Sequence, residues 1–221
     1  MIFPIGDDQV KGGAKPFWSY TFILLNITIY LYEVFLQGNG QLNEFLYNYG
    51  TIPAEIVRGE DYYTLFTNMF LHGGWMHLIG NMLYLWVFAD NIEARIGNTR
   101  FVLFYIGGGI FASLTHVIFN MDSQITSIGA SGALSAVLGA YLVMFPQSKI
   151  KLIFIYYLRP FKIAAIYFLG IWIIQQLISG FASLGPETAQ TGGTAWWAHI
   201  GGFLFGLAYG FIIKRFYLRE K

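Results

Sequence analysis

The sequence predicts an all-α membrane protein: six transmembrane helices in one bundle, with a short, recessed fourth helix. Three observations carry that expectation. Hydrophobic residues make up 56% of the 221 residues and charged residues only 11%, with a mean hydropathy of +0.53, outside the range of an ordinary soluble domain. Six apolar segments of roughly helical length follow one another along the chain. Apart from Arg58, basic residues are confined to the tails and to alternate connections between the segments. Aromatics reach 19%, which suits helices carrying Trp and Tyr at two membrane interfaces.

The tail from Met1 to Pro16 is too short to bury a core, so residues 1–16 are expected as a cytoplasmic N-terminal tail. It lacks the layout of a cleavable signal peptide, so the first apolar run is expected to remain in place. The six segments are Trp18–Leu36, Trp75–Ala89, Phe101–Phe119, Ser131–Phe145, Ile163–Phe181 and Ala195–Ile213. Together they define one expected domain, 17–217, followed by a short cytoplasmic tail, 218–221; no soluble domain is expected at either end. The connection from Gln37 to Gly74 is long and not plainly polar. Its Phe45-Leu46-Tyr47, Ile52-Pro53, Ile56-Val57 and Tyr62-Tyr63 fit either amphipathic pieces in the interface or a packed surface loop.

Orientation follows from charge. The odd connections hold Glu44, Glu55, Glu60, Asp61, Asp122 and Glu187 against the single base Arg58. The tails and even connections hold Lys11, Lys15, Arg95, Arg100, Lys149, Lys151, Arg159, Lys162, Lys214, Arg215, Arg219 and Lys221. The positive-inside rule therefore places both termini in the cytoplasm. A net charge of +1 argues against nucleic acid as a partner, and the absence of cysteine excludes disulfides and thiolate metal sites.

Helix arithmetic sets the depth of the polar residues. From Ser131 to Phe145 the fourth segment spans ~22 Å, against a hydrocarbon core of ~30 Å, so it begins roughly 8 Å below the outer surface. The stretch from Asn120 to Ala130 must then dip into the protein, which irregular backbone tolerates only beside a cavity or buried in protein. His199 lies ~22 Å from the inner edge at Lys214, and His77 ~20 Å from Asp90, with Asn81 one turn deeper. Ser131, His199 and His77 thus share a level, while His72 falls nearer the outer surface. Ser131, Ser135 and Gly139 form one smooth ridge, and Gly202, Gly206 and Gly210 another. Paired in parallel, these ridges set Ser131 against His199; the glycines alone fit generic helix packing equally well.

An ionisable or polar side chain within an apolar segment is costly and points to function. A serine hydroxyl becomes a nucleophile when a neighbouring base takes its proton, and His199 is the natural base for Ser131. No acidic third member is evident, since Glu33, the one carboxylate within an apolar segment, sits near the outer end of the first; a Ser–His dyad is expected. Ser131 and Gly132 open a helix, so their N–H groups are free for an oxyanion, and Gly129 and Gly132 leave room for a substrate carbonyl. His77 and Asn81, at i and i+4, share a face and offer further donors. The local Gly129-Ala130-Ser131-Gly132-Ala133 is not the nucleophile elbow of soluble hydrolases, because Ala133 replaces the final glycine. A metal site on His72, His77 and His199 lacks cysteine or carboxylate support and the i, i+4 spacing, so neither metal nor cofactor is expected. His116 reads as an interfacial or packing residue.

With these residues in view, the chain resembles the rhomboid intramembrane serine proteases over nearly all its length. The resemblance rests on Gly129-Ala130-Ser131-Gly132, on Ala198-His199-Ile200-Gly201-Gly202, and on His72-Gly73-Gly74-Trp75-Met76-His77 followed by Asn81. It implies Ser131 as nucleophile, His199 as base, His77 and Asn81 assisting at the oxyanion, and single-pass transmembrane proteins cut near the outer end of their helices. It also implies that segment five and the loop Ala182 to Thr194 act as gate and cap, for which Gly185, Gly192 and Gly193 are suited. Two departures stand out: Tyr63-Thr64 where the family often carries Trp-Arg, and Ser135 where some members stack a tyrosine on the histidine. Packing on His199 must then come from elsewhere.

Substrates are expected to carry Gly, Pro or small residues that let a helix unwind, and water must enter from the outer face. An inactive rhomboid-like protein that binds membrane clients is the alternative; such relatives typically lose the serine or histidine, and both are present. A channel or transporter is disfavoured by the lack of internal repeats and paired intramembrane charges. The compact organisation fits a bacterial inner membrane.

Overall fold

The computed structural model describes residues 2–8, 12–154, 159–184 and 193–216. Gly185, Glu187, Gly192, Lys11, Arg219, Lys221 and the expected tail 218–221 lie outside the described residues. The chain is mostly helical. Helix α1 (Trp18–Gly38) leads into three short helices, α2 (Leu42–Tyr49), α3 (Pro53–Arg58) and α4 (Thr64–Thr67), and a 3-10 turn at Asn68–Phe70. Five further helices follow: α5 (Trp75–Ile96), α6 (Asn98–Phe119), α7 (Ser131–Met144), α8 (Ala165–Ala182) and α9 (Trp196–Phe216). Of these, α1, α6, α8 and α9 are long and apolar enough to cross a membrane. Large apolar side chains such as Leu24, Leu103, Ile171, Ile178 and Phe211 point outward from them, an arrangement stable only against lipid or another apolar surface.

A three-stranded antiparallel sheet, in the order β1-β2-β3, departs from the all-α expectation. Strand β1 (Ile2–Gly6) comes from the leading tail, while β2 (Lys149–Phe154) and β3 (Arg159–Ala164) connect α7 to α8. In β2, Lys149 and Lys151 are exposed while Ile150 and Leu152 are buried, the period of two that a half-buried strand requires. Asp7, just beyond β1, accepts hydrogen bonds from Tyr141 of α7 and from Asn91 Nδ2 of α5 at 2.6 Å. The tail is thus docked onto the bundle rather than left free. Ile163 and Ala164, expected to open the fifth apolar helix, belong to β3, and α8 begins at Ala165.

Helix α5 continues past Ala89 to Ile96 because its charged last turns are satisfied internally. Glu93, fully buried, accepts the backbone N–H groups of Phe17, Trp18 and Ser19 at 2.7–3.0 Å and the Ser19 hydroxyl. These are the donors that the start of α1 leaves unpaired, and a negative charge there also favours the helix dipole.

Helix α7 has 14 residues, of which eleven are buried. It can be enclosed so tightly because its faces are small. A Cβ on Gly202 or Gly206 of α9 would overlap the carbonyl of Gly132 or Ala136, and one on Gly139 would overlap the α9 backbone at Phe203. Gly210 meets Ala140 at 3.1 Å in the same test. The rising pairs 202 with 132, 206 with 136 and 210 with 140 show two parallel helices in backbone contact. Such contact substitutes dispersion attraction for a hydrophobic driving force that lipid does not supply.

Candidate active site

Helix α7 starts where it does because the chain before it is tied down. Thr51 and Ser127 form an isolated antiparallel bridge, and the Gly129 N–H donates to the Asn68 carbonyl at 2.9 Å. Asn68 Nδ2 in turn donates to Thr51 Oγ1 at 2.6 Å, to the Thr64 carbonyl at 2.7 Å and to Ser113 Oγ at 3.0 Å. The irregular backbone therefore finds its partners inside the protein, as a loop among apolar helices must. Gly129 has φ +130°, a conformation that L side chains rarely adopt, and a Cβ there would lie 2.8 Å from the His77 ring.

One residue later the helix begins, and the Ser131 hydroxyl donates to His199 Nε2 at 2.8 Å. On the far side of the imidazole, Nδ1 lies 2.7 Å from Gln176 Oε1 of α8. An amide oxygen only accepts, so Nδ1 carries the proton and Nε2 presents its lone pair to the serine. The Trp172 and Trp196 rings lie 6.0 and 6.2 Å from the His199 ring, centroid to centroid. These indoles supply the packing on His199 that Ser135 does not. Ser135 instead donates to the Ser131 carbonyl at 2.6 Å and faces the Gly202 contact.

A cavity of about 790 Å³ opens beside this pair, and His77, Asn81, His116 and Asn120 line it with Ser131 and His199. It extends to Ala182, Gly193 and Thr194, which are exposed, so the polar pocket reaches the surface of the bundle. Asn81 is nearly buried, and its Nδ2 lies 3.0 Å from His72 Nε2. The His72 backbone N–H donates to both carboxylate oxygens of Glu33, at 3.1 and 3.2 Å. Among the described residues, no three His, Cys, Asp or Glu side chains gather closely enough to hold a metal ion.

The six site residues read from the sequence are thus brought to one place. Gly132 is buried, and a Cβ on it would meet Ala112 Cβ of α6 at 2.8 Å, so its missing side chain also lets α6 approach. At Gly129 the absent side chain likewise makes room for the His77 ring. His72, just before α5, is 1% exposed and enclosed by its neighbours, with its backbone N–H held by Glu33. His116, expected to pack or sit at an interface, lines the cavity. Gln176 was missed, though a glutamine inside Ile171-Trp172-Ile173-Ile174-Gln175-Gln176-Leu177-Ile178 is the kind of polar intrusion that marks a site.

Four apolar helices of spanning length, with a polar cavity among the buried ends of α7 and α9, define an integral membrane protein. The chain belongs to the rhomboid family: the rhomboid domain profile matches residues 59–216. It is 34% identical over 129 residues to "Rhomboid protease GluP" of Bacillus subtilis, a match covering 58% of this chain and 25% of that protein. It is 30% identical over 164 residues to "RHOMBOID-like protein 5" of Arabidopsis thaliana, covering 74% of this chain and 48% of the relative. "Rhomboid-like protein 11, chloroplastic", also from Arabidopsis thaliana, is 28% identical over 222 residues, with 95% and 71% covered. The chain therefore spans half or less of the first two.

Proposed function

We propose that this protein is an intramembrane serine endopeptidase that cuts transmembrane segments of membrane proteins with a Ser131–His199 dyad. The observation that carries the reading is the 2.8 Å contact between Ser131 Oγ and His199 Nε2, beside a cavity of about 790 Å³ that reaches the surface. Family membership supports it, as does the printed protease name of the Bacillus subtilis relative.

The chemistry follows from the geometry. As Oγ attacks the scissile carbonyl, Nε2 takes its proton, and the new C–O bond leaves a negative oxygen. The N–H groups of Ser131 and Gly132, unpaired at the start of α7, together with His77 and Asn81, are the donors for that oxygen. The imidazolium then returns the proton to the leaving amine. A water from the cavity, deprotonated by the same nitrogen, cleaves the acyl ester and restores the serine.

Six passes, with the short α7 starting below the outer surface and both termini cytoplasmic, are the proposed topology. The parallel course of α7 and α9 suits passes that alternate in direction, and Arg95, Arg100, Lys149, Lys151, Lys162 and Lys214 all fall at the helix ends and connections assigned to the cytoplasmic side. Purified protein in liposomes is expected to cut a single-pass substrate with a glycine- or proline-weakened helix. Ser131→Ala and His199→Ala are each expected to lower that rate by at least about 10³-fold. Cleavage by Ser131→Ala at the unmodified rate would refute the assignment.

A further inference from the structure

The polar contact on the far side of His199 has no place in a two-residue mechanism. Gln176 is 4% exposed and stands on α8, an apolar helix in which Ile173, Leu177 and Gly180 flank it and Ser179, one turn on, lines the cavity. A buried amide without a partner costs free energy, so a glutamine at this position needs a reason. Its Oε1 accepts from His199 Nδ1 at 2.7 Å, on the other side of the ring from Nε2, which accepts from the Ser131 hydroxyl at 2.8 Å. We propose that Gln176 is a positioning residue of this site: it holds His199 in the tautomer protonated at Nδ1 and aims Nε2 at the Ser131 hydroxyl. The proposal rests on the dyad reading above.

The argument turns on what His199 lacks without it. A neutral imidazole protonated at Nε2 donates toward Ser131 and cannot accept its proton, so half of the chemistry depends on which nitrogen carries hydrogen. Trp172 and Trp196 restrict the ring by contact, but an indole face does not choose a tautomer. The amide oxygen does, and it stays ready to hold the Nδ1 proton when Nε2 becomes protonated. A neutral amide performs this without placing a second charge among apolar helices, where an unpaired carboxylate is expensive. The ionisable neighbours of His199 are His77 on α5 and His116 on α6, and neither reaches Nδ1. Because Gln176 belongs to α8 while the dyad belongs to α7 and α9, the site is complete only with α8 packed against α9.

The test compares Gln176→Leu and Gln176→Glu with the unmodified full chain in liposomes. Leu keeps the packing and removes the acceptor; Glu keeps both and adds charge. Gln176→Leu is expected to lower kcat at least about 10-fold, with KM changed less than about twofold, and to slow labelling by a fluorophosphonate in parallel. Gln176→Glu is expected to recover most of that loss and to move the acid limb of the pH–rate profile to higher pH, because a carboxylate stabilises the imidazolium. The 15N shifts of His199 should report a proton on Nδ1 in the unmodified protein and a mixture of tautomers in Gln176→Leu. Full kcat and labelling in Gln176→Leu, or an acid limb unmoved in Gln176→Glu, would overturn the proposal while leaving Ser131→Ala inactive. An active Ser131→Ala would instead remove the dyad itself.

Discussion

At the scale of single residues, the site separates groups that react from groups that hold them. Asn81 shows the distinction. Its amide faces the cavity, but His72 fixes it at 3.0 Å, and Glu33 fixes His72 by its backbone N–H. A donor held in this way is oriented before a substrate arrives, which is what stabilisation of a developing charge requires. Asn81→Ala is therefore expected to lower kcat by about 10²-fold with little change in KM, measured on a transmembrane substrate in liposomes. Equal loss in KM and none in kcat would show Asn81 to be a binding group only. Ser131, His199, His77 and Asn81 were legible because each is a polar intrusion at a depth that helix arithmetic sets. The contact between Glu33 and His72 was not legible, because it joins positions 39 residues apart in the chain.

At the scale of elements, the apolar runs define the long helices and say little about their ends. Helix α5 outlasts its apolar run because Glu93 serves the start of α1, a partner 74 to 76 residues away. Strand β1 is the larger surprise, since its partner β2 lies at the other end of the chain's first two-thirds. Asp7 anchors that strand, and burial raises its carboxyl above the usual 3.8, with Asp8 adding repulsion while Tyr141 and Asn91 oppose the shift. The docked strand then holds its proton at a pH where the released strand has lost it. Docking is tightest in acid and weakens as pH rises through the raised value. Asp7→Asn removes that dependence. Amides of Ile2, Phe3, Ile5 and Gly6 are expected to exchange alike in both proteins in acid, and faster in the unmodified protein near neutral pH. Identical ratios across the range would show that Asp7 does not control the strand.

At the scale of the whole molecule, the ridge between α7 and α9 determines whether the two halves of the dyad meet. Those helices touch through backbone at Gly202, Gly206 and Gly139, so any side chain there must push them apart. Gly206→Val lies about two turns below His199 and touches no proposed substrate group. It is expected to cost roughly 1–3 kcal/mol, seen as a lower thermal midpoint in detergent. Activity should fall further than stability, because a shift of about 1 Å between Oγ and Nε2 removes proton transfer. Unchanged activity with a lowered midpoint would show that the ridge stabilises the bundle without aligning the site.

The residues alone determined the membrane class, the apolar segments and the level at which serine and histidine lie, because hydropathy and a fixed rise per residue are local properties of the chain. Only the tertiary structure decided which partner each polar group found. Gln176 on His199, Glu33 on His72, Glu93 on the start of α1 and the tail strand on β2 all join distant positions, where neither periodicity nor composition specifies a neighbour.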